Sequence, residues 1–362
     1  RLGLDPDVRV MDEHEAELLR IETLDRVFES RYGGEDPGFL DLVDRYASDR
    51  GDEHLRQLVL GLHAYARGLP DSAGWLRNSA AAFDLPPDTR LMQTLWGKDL
   101  ALAVQGIAER ILRALDEALA WCDRPGGPAS YIETILQERE AFAAIADAAA
   151  AGDWDAFVRA AGGPVKGRLP PSRGCAAEVR AGAQSRRNDA WKALGRLQVL
   201  ARPEAELLGQ LRAVKDQMAV LTGLVIELDE MAREQRASRG MLDFADLECY
   251  ALRLLAAPDG DVARQLRRRF AEVYVDEYQD INAVQHALLD LVSSANLFCI
   301  GDVKQSIYRF RGTDPGFFRH KKSEFIQLKP GSQPPPGGQP PPGDQPPPGA
   351  QPHAGVPAQP GV

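Results

Sequence analysis

Asp276 and Glu277 stand side by side at the end of an apolar run, Val273-Tyr274-Val275, and Gln279-Asp280 follow at once. A second apolar run, Leu297-Phe298-Cys299-Ile300, leads into Gly301-Asp302-Val303-Lys304-Gln305. At a strand end adjacent side chains diverge, so one carboxylate can reach a metal while its neighbour faces a water. Magnesium takes hard oxygen ligands and keeps several waters, a demand that one carboxylate and a substrate's phosphates meet together. The second carboxylate is then free to orient or deprotonate an attacking water, the step that nucleotide hydrolysis needs beyond charge neutralisation. Taken alone, the acidic pair reads better as the rim of a helix, with Asp280 capping a helix that begins near Asn282. Gln279-Asp280 and the second loop favour the chemical reading.

The elements that must position these groups are legible around them. Strand, helix and strand in succession predict a parallel sheet covered on both faces. Ligands then sit beyond the strands' carboxyl ends, where Asp276 and Asp302 both fall. Just upstream, Leu242-Asp243-Phe244-Ala245-Asp246-Leu247 opens a helix with Asp243 as its cap, and a basic helix with Arg264, Arg267, Arg268 and Arg269 follows.

From about Asp12 to about Arg239 the pattern is helical almost throughout. Asp12 and Glu15 form a capping-box pattern, and Leu18, Leu24 and Phe28 continue an apolar face. Val104, Ile107, Ile111, Leu115 and Leu119 keep one side of another helix apolar. After Pro203, Leu207, Leu211, Val214, Met218, Leu221, Val225 and Leu228 make a narrow seam of the coiled-coil kind, expected to pack lengthwise against a neighbouring helix. A Gly/Pro-rich stretch from Gly162 to Gly174 predicts an exposed loop. Trp75, Trp96, Trp121, Trp154 and Trp191 all lie in this region and are expected to serve the core or plug the surface rather than stack on bases.

At 362 residues the chain has room for two domains, and its apolar and charged fractions are those of a globular protein. No stretch approaches the ~20 apolar residues of a membrane span, and no secretory leader opens it. Cys122, Cys175, Cys249 and Cys299 are scattered, which argues against a zinc site or a disulfide framework and predicts a cytoplasmic protein. A net charge of −10 argues weakly against a coat of nucleic acid, yet Gly301–Lys322 holds six Lys/Arg against two Asp. A local basic patch suffices to hold a phosphate backbone. The last thirty or so residues repeat Gln-Pro-Pro-Pro-Gly, lack apolar groups to bury and predict a disordered polyproline-type tail, inert or a ligand for an SH3-like groove.

The run VDEYQD and the run GDVKQSIYRFRG resemble motifs II and III of superfamily 1A DNA helicases, the UvrD/PcrA/RecB group. LDFADLE, RRRFAEVYVDEYQDIN and GDVKQSIYRFRGTDP resemble more closely the AddA branch, the helicase–nuclease components of the bacterial AddAB complex. RVMDEHEAELLR, FLDLVDRY and LVLGLHAYARGLPDSAGWL resemble that branch's helical 1B insertion. The likeness covers roughly residues 1–328; the two motifs carry most of it.

The resemblance implies a helix-dominated α/β protein. Residues 1–239 would be a helical 1B-type insertion, 240–329 the C-terminal part of a RecA-like motor domain 1A, and 330–362 the tail. It implies ATP and Mg2+ as cofactors, with Asp276 holding the metal, Glu277 activating the water and Gln279 near the nucleotide in support. Gln305 would contact the γ-phosphate and report its loss. Tyr308 and Phe310 would stack on single-stranded DNA and Arg311 would pair with its phosphates; core packing is the competing reading for both aromatics. The implied partners are DNA, single-stranded and as duplex ends, and an AddB-type protein, with no membrane.

The sequence departs from that pattern in places. No Gly-x-x-x-x-Gly-Lys-Ser/Thr loop occurs; Trp96-Gly97-Lys98 has Met92 where the first glycine belongs and Asp99 where the hydroxyl belongs. No Asn-Phe-Arg-Ser element follows Leu328, where Lys329-Pro330-Gly331 begins the repeat. The chain begins at Arg1 and is expected to be a piece of a longer protein whose reading frame is shifted or cut near residue 329. The expected parent activity is ATP-driven translocation on DNA and its unwinding in double-strand-break repair. A repair helicase of the UvrD type without nuclease, or a non-catalytic binding fragment, are the alternatives.

Overall fold

The capping box predicted at the first helix is present. Asp12 accepts the Glu15 N–H and Glu15 accepts the Asp12 N–H, and α1 (Glu13–Gly33) starts there. The computed structural model describes residues 7–46, 51–306 and 313–324. Leu24 and Phe28 are buried as expected, but Leu18 is 49% exposed and Leu19 takes the inward place. The buried stripe runs Leu19, Thr23, Val27, one residue on from the face read in the sequence. Around it pack α2 (Pro37–Tyr46), α3 (Glu53–Arg67), α4 (Ser72–Ala81) and the distant α10 (Lys215–Ser238), with Phe39, Val59, Leu224 and Leu228 sealed in the core.

A second helical core lies between α5 (Leu95–Cys122), α6 (Ile132–Ala150), α7 (Trp154–Gly162), α8 (Ala177–Leu200) and α9 (Glu204–Ala213). Val104, Ile111 and Leu115 are buried, and Ile107 and Leu119 flank them. All five tryptophans pack against protein. Trp154 is in this core and donates from Nε1 to the Arg202 carbonyl at 2.9 Å. Trp121 and Trp191 line its margin, Trp75 lines the margin of the first core, and Trp96 tilts against Phe83 at 4.5 Å. The predicted loop follows α7 and is pinned at Gly167, whose N–H donates to Glu138 of the buried Arg187–Glu138 pair.

The leucine seam does not run through one helix. It breaks at Val214, between α9 and α10. Leu207, Leu208 and Leu211 turn to the second core, while Leu221, Leu224, Val225 and Leu228 turn to the first. A seven-residue spacing persists across the break, yet the chain passes from one core to the other there, so tertiary packing overrides the continuous-helix reading.

The remaining elements carry the candidate site. β1 (Arg9–Val10) pairs in parallel with β2 (Met241–Leu242). Asp243 caps α11 (Phe244–Leu255) in a capping box with Asp246. Both carboxylates also hold buried arginines from the helical part. Arg67 of α3 bonds Asp243 at 2.8 Å and Asp246 at 2.8 Å, and Arg236 of α10 bonds Asp246 at 2.6 Å. After α12 (Asp261–Arg269), the basic helix, come β3 (Val273–Val275), α13 (Ala283–Val292), β4 (Leu297–Cys299) and α14 (Pro315–Glu324). β3 and β4 are parallel, with Val273 opposite Leu297, Tyr274 opposite Phe298 and Val275 opposite Cys299. Cover on both faces is not found among the described residues: Tyr274 is 66% and Phe298 55% exposed, tilted together at 5.6 Å. No described helix is long and apolar enough to cross a membrane.

Candidate active site

The two strand ends stay bonded beyond their last ladder residues. Ile300 N–H donates to the Val275 carbonyl at 2.8 Å, and Tyr278 N–H donates to the Ile300 carbonyl at 2.9 Å. Between them the chain reverses sharply at Glu277, whose backbone is left-handed (φ 52°, ψ 41°), and enters a 3-10 turn over Tyr278–Asp280. That conformation costs a residue with a Cβ about 1–2 kcal/mol. Such strain persists where the surroundings fix the residue, as they do at functional sites.

A continuous hydrogen-bonded path starts at this turn. Glu277 N–H donates to Asp276 Oδ1 at 2.9 Å. Gln279 is 1% exposed; its Nε2 donates to Glu277 Oε2 at 2.6 Å and its Oε1 accepts the Asp302 N–H at 2.9 Å. Asp302 in turn accepts from Lys304 N–H at 3.0 Å and from Gln305 Nε2 at 3.2 Å, and these two bonds hold its carboxyl below the usual range. Glu277, Gln279, Asp302 and Gln305 are thus joined across the two loops. Gly301 permits the crossing: a Cβ there would stand 2.4 Å from Gln279 Oε1.

The turn is braced from behind. Tyr278 is buried, with its hydroxyl 2.9 Å from His286 Nδ1 on α13. Phe317 of α14 stacks on His286 at 4.4 Å, and Phe318 lies 6.0 Å from the Tyr278 ring. The helix-rim reading of the acidic run fails, because Asn282 caps α13 through its Oδ1 and the Gln285 N–H. Asp280 Oδ1 is instead buried without a hydrogen-bond partner.

Of the residues expected at the site, the structure brings Glu277, Gln279 and Gln305 onto one path and sets Asp276 next to it. Tyr308, Phe310 and Arg311 lie outside the described residues. From the sequence Asp302 received only a place at the ligand end of its strand and Gly301 no role, although a Gly-Asp pair directly after a strand is the signal for a tight turn close to another backbone. Among the described residues no group of three or more His, Cys, Asp or Glu is arranged to hold a metal. Asp276 and Glu277 form an exposed two-carboxylate set of hard oxygens, which fits a cation held largely by phosphates and water.

Comparison with known proteins bears on these two loops directly. Residues 185–326 match the UvrD/REP helicase N-terminal domain. That stretch is similar to this family. The UvrD/REP match takes in β3, β4 and both loops of the hydrogen-bonded path. Over 92% of its length the chain is 38% identical to the A subunit of the ATP-dependent helicase/nuclease of Pelotomaculum thermopropionicum, covering 28% of that protein. It is 37% identical over 91% of its length to the protein of that name from Moorella thermoacetica, of which it covers 25%. With the one from Desulforudis audaxviator it shares 39% identity over 90% of its length, covering 28% of that relative. The chain spans about a quarter of the length of these curated relatives.

Proposed function

We propose that this chain supplies the water-activating and γ-phosphate-sensing part of an ATP-dependent DNA motor of the AddA kind. The observation that carries this reading is the path Glu277–Gln279–Asp302–Gln305, which links the ends of two parallel strands. Mg2+, held by this chain, would supply positive charge to offset what develops at the γ-phosphate. Asp276 is the residue to hold it. Glu277 orients and deprotonates the attacking water, with the buried Gln279 amide fixing one of its oxygens. Gln305, exposed at the second loop, offers its amide to the γ-phosphate.

The chain between residues 306 and 313 joins Gln305 to α14, and its Tyr308, Phe310 and Arg311 are the proposed single-stranded-DNA contacts. A base stacked on an aromatic is worth ~1–3 kcal/mol whatever the base, which suits a translocating motor. The proposed division is a 1B-type helical insertion over 1–239, motor-domain 1A residues over 240–329 and a tail. An AddB-type protein is the proposed partner, and double-strand-break repair in the cytoplasm the proposed setting.

The chain has no Gly-x-x-x-x-Gly-Lys-Ser/Thr loop, hence no cradle of backbone N–H groups and no lysine for the β- and γ-phosphates. Alone it is expected to bind ATP weakly or not at all and not to unwind DNA. A Mg2+–ATP titration of the purified chain tests this, and DNA-stimulated hydrolysis that vanishes with Glu277→Gln would overturn it. For the motor reading, this chain replaces the matching quarter of the Pelotomaculum thermopropionicum relative. The chimera should hydrolyse ATP when DNA is added, and Glu277→Gln should lower kcat at least a hundredfold. A folded, DNA-binding chimera indifferent to that substitution refutes the reading.

A further inference from the structure

Asp302 has one end in each half of the candidate site. Its backbone N–H donates to Gln279 Oε1 at 2.9 Å, and its carboxylate Oδ2 accepts from Gln305 Nε2 at 3.2 Å. The two ends differ in how easily they let go. The backbone bond joins a buried amide, against which Gly301 packs so closely that an added Cβ would meet Gln279 Oε1. Breaking it would strand a buried acceptor, which is costly. The carboxylate bond is exposed, and a bond of that kind biases an equilibrium by only roughly two- to tenfold. Oδ1, held by the Lys304 N–H, keeps the carboxylate in place when Oδ2 loses its partner.

We propose that Asp302 is the positioning residue of the phosphate sensor: it holds the Gln305 amide aside in the absence of nucleotide and yields it to a triphosphate oxygen. This rests on the nucleotide reading of the site given above. The Gln305 amide has two protons, but a carboxylate and a phosphate sharing it would be like charges a few ångströms apart and would repel. Binding of the triphosphate therefore ends the Asp302 bond. The Asp302 backbone stays on Gln279, and Gln279 Nε2 stays on Glu277 Oε2, so release of Gln305 leaves the water-activating carboxylate in position.

The test uses the full 362-residue chain with its glutamine side-chain amides labelled with 15N. The Gln305 signals are identified by their loss in Gln305→Ala. In Asp302→Ser the hydroxyl still caps the Lys304 N–H but is too short to reach Gln305. The Gln305 amide should move toward the position of free glutamine while the Gln279 amide stays put. Asp302→Asn keeps an acceptor oxygen and should move it less.

Mg2+–ATP is then titrated to millimolar concentration. Both variants lack the charge, so tighter binding by Asp302→Ser than by Asp302→Asn, roughly two- to tenfold, isolates the hydrogen bond. A Gln305 amide that Asp302→Ser leaves unmoved overturns the proposal. So does equal tightening in both variants, which would mark simple charge repulsion. A complete lack of nucleotide response in every variant is what the chain alone gives without a Gly-Lys phosphate loop; the chimera then judges the nucleotide reading, and the amide shift still decides the role of Asp302.

Discussion

At the scale of single residues, the strand-end turn combines two constraints that ordinary packing does not ask for. Glu277 holds a left-handed backbone, and Gly301 lies where any Cβ would press on Gln279. Glu277→Gly and Glu277→Ala remove the same carboxylate, but only alanine keeps a Cβ in the unfavourable conformation. The glycine variant is therefore expected to be more stable by about 1 kcal/mol in chemical denaturation. Gly301→Ala should cost about 1–3 kcal/mol. Its cost should not add to that of Gln279→Ala, because the second substitution removes the atom the new methyl meets; a double-mutant cycle measures the coupling. Asp276 and Glu277 were legible in the sequence because their signal is local, two carboxylates ending an apolar run. Asp302 was not, since its role depends on a glutamine 23 residues away that only strand pairing brings near.

At the scale of elements, β3, β4 and the helix starts at Asp12 and Asp243 followed from neighbouring residues, whereas β1 and β2 were not read from the sequence. Capping boxes at Asp12 and Asp243 need only a partner three residues on, and the structure has both. The pairing of α3 and α10 with the start of α11 had no such local mark. Arg67 and Asp243 are 176 residues apart. Burial pushes the Asp243 carboxyl up, and Arg67 and Arg236 outweigh it and hold it below the usual range. Removing one partner of a buried pair leaves an uncompensated charge, so Arg236→Met should lower stability by about 3–5 kcal/mol, read by thermal or denaturant unfolding. An indifferent Arg236→Met would mean that the cluster is solvated in solution. The leucine seam is the opposite case. Its period is plain in the sequence, but no local signal tells a helix that its two halves serve different cores.

At the scale of the whole molecule, buried titratable groups set the response to acid. Burial drives His63 below its usual range despite Asp229, whose oxygen lies 3.2 Å from Nε2. A group protonated less readily when folded than when unfolded stabilises the fold above its unfolded pKa, and that contribution fades as pH falls toward the folded value. For His63 the loss begins near pH 6.5, the usual value for histidine. Asp243 and Asp229, both lowered, add a further loss below about pH 4. Melting temperature should therefore drop between pH 7.5 and 5.5, and drop less in His63→Gln. An equal drop in both proteins would remove His63 from the account.

Tyr274 and Phe298, side by side on the open face of β3 and β4, have a practical consequence for anyone who purifies this protein. Wet aromatic surface beside a strand edge that is unpaired among the described residues invites contact between molecules. The chain should bind a hydrophobic dye and self-associate as its concentration rises. Threonine at both positions should keep it monodisperse in light scattering, with the Gln279–Asp302 bond at the strands' far end undisturbed.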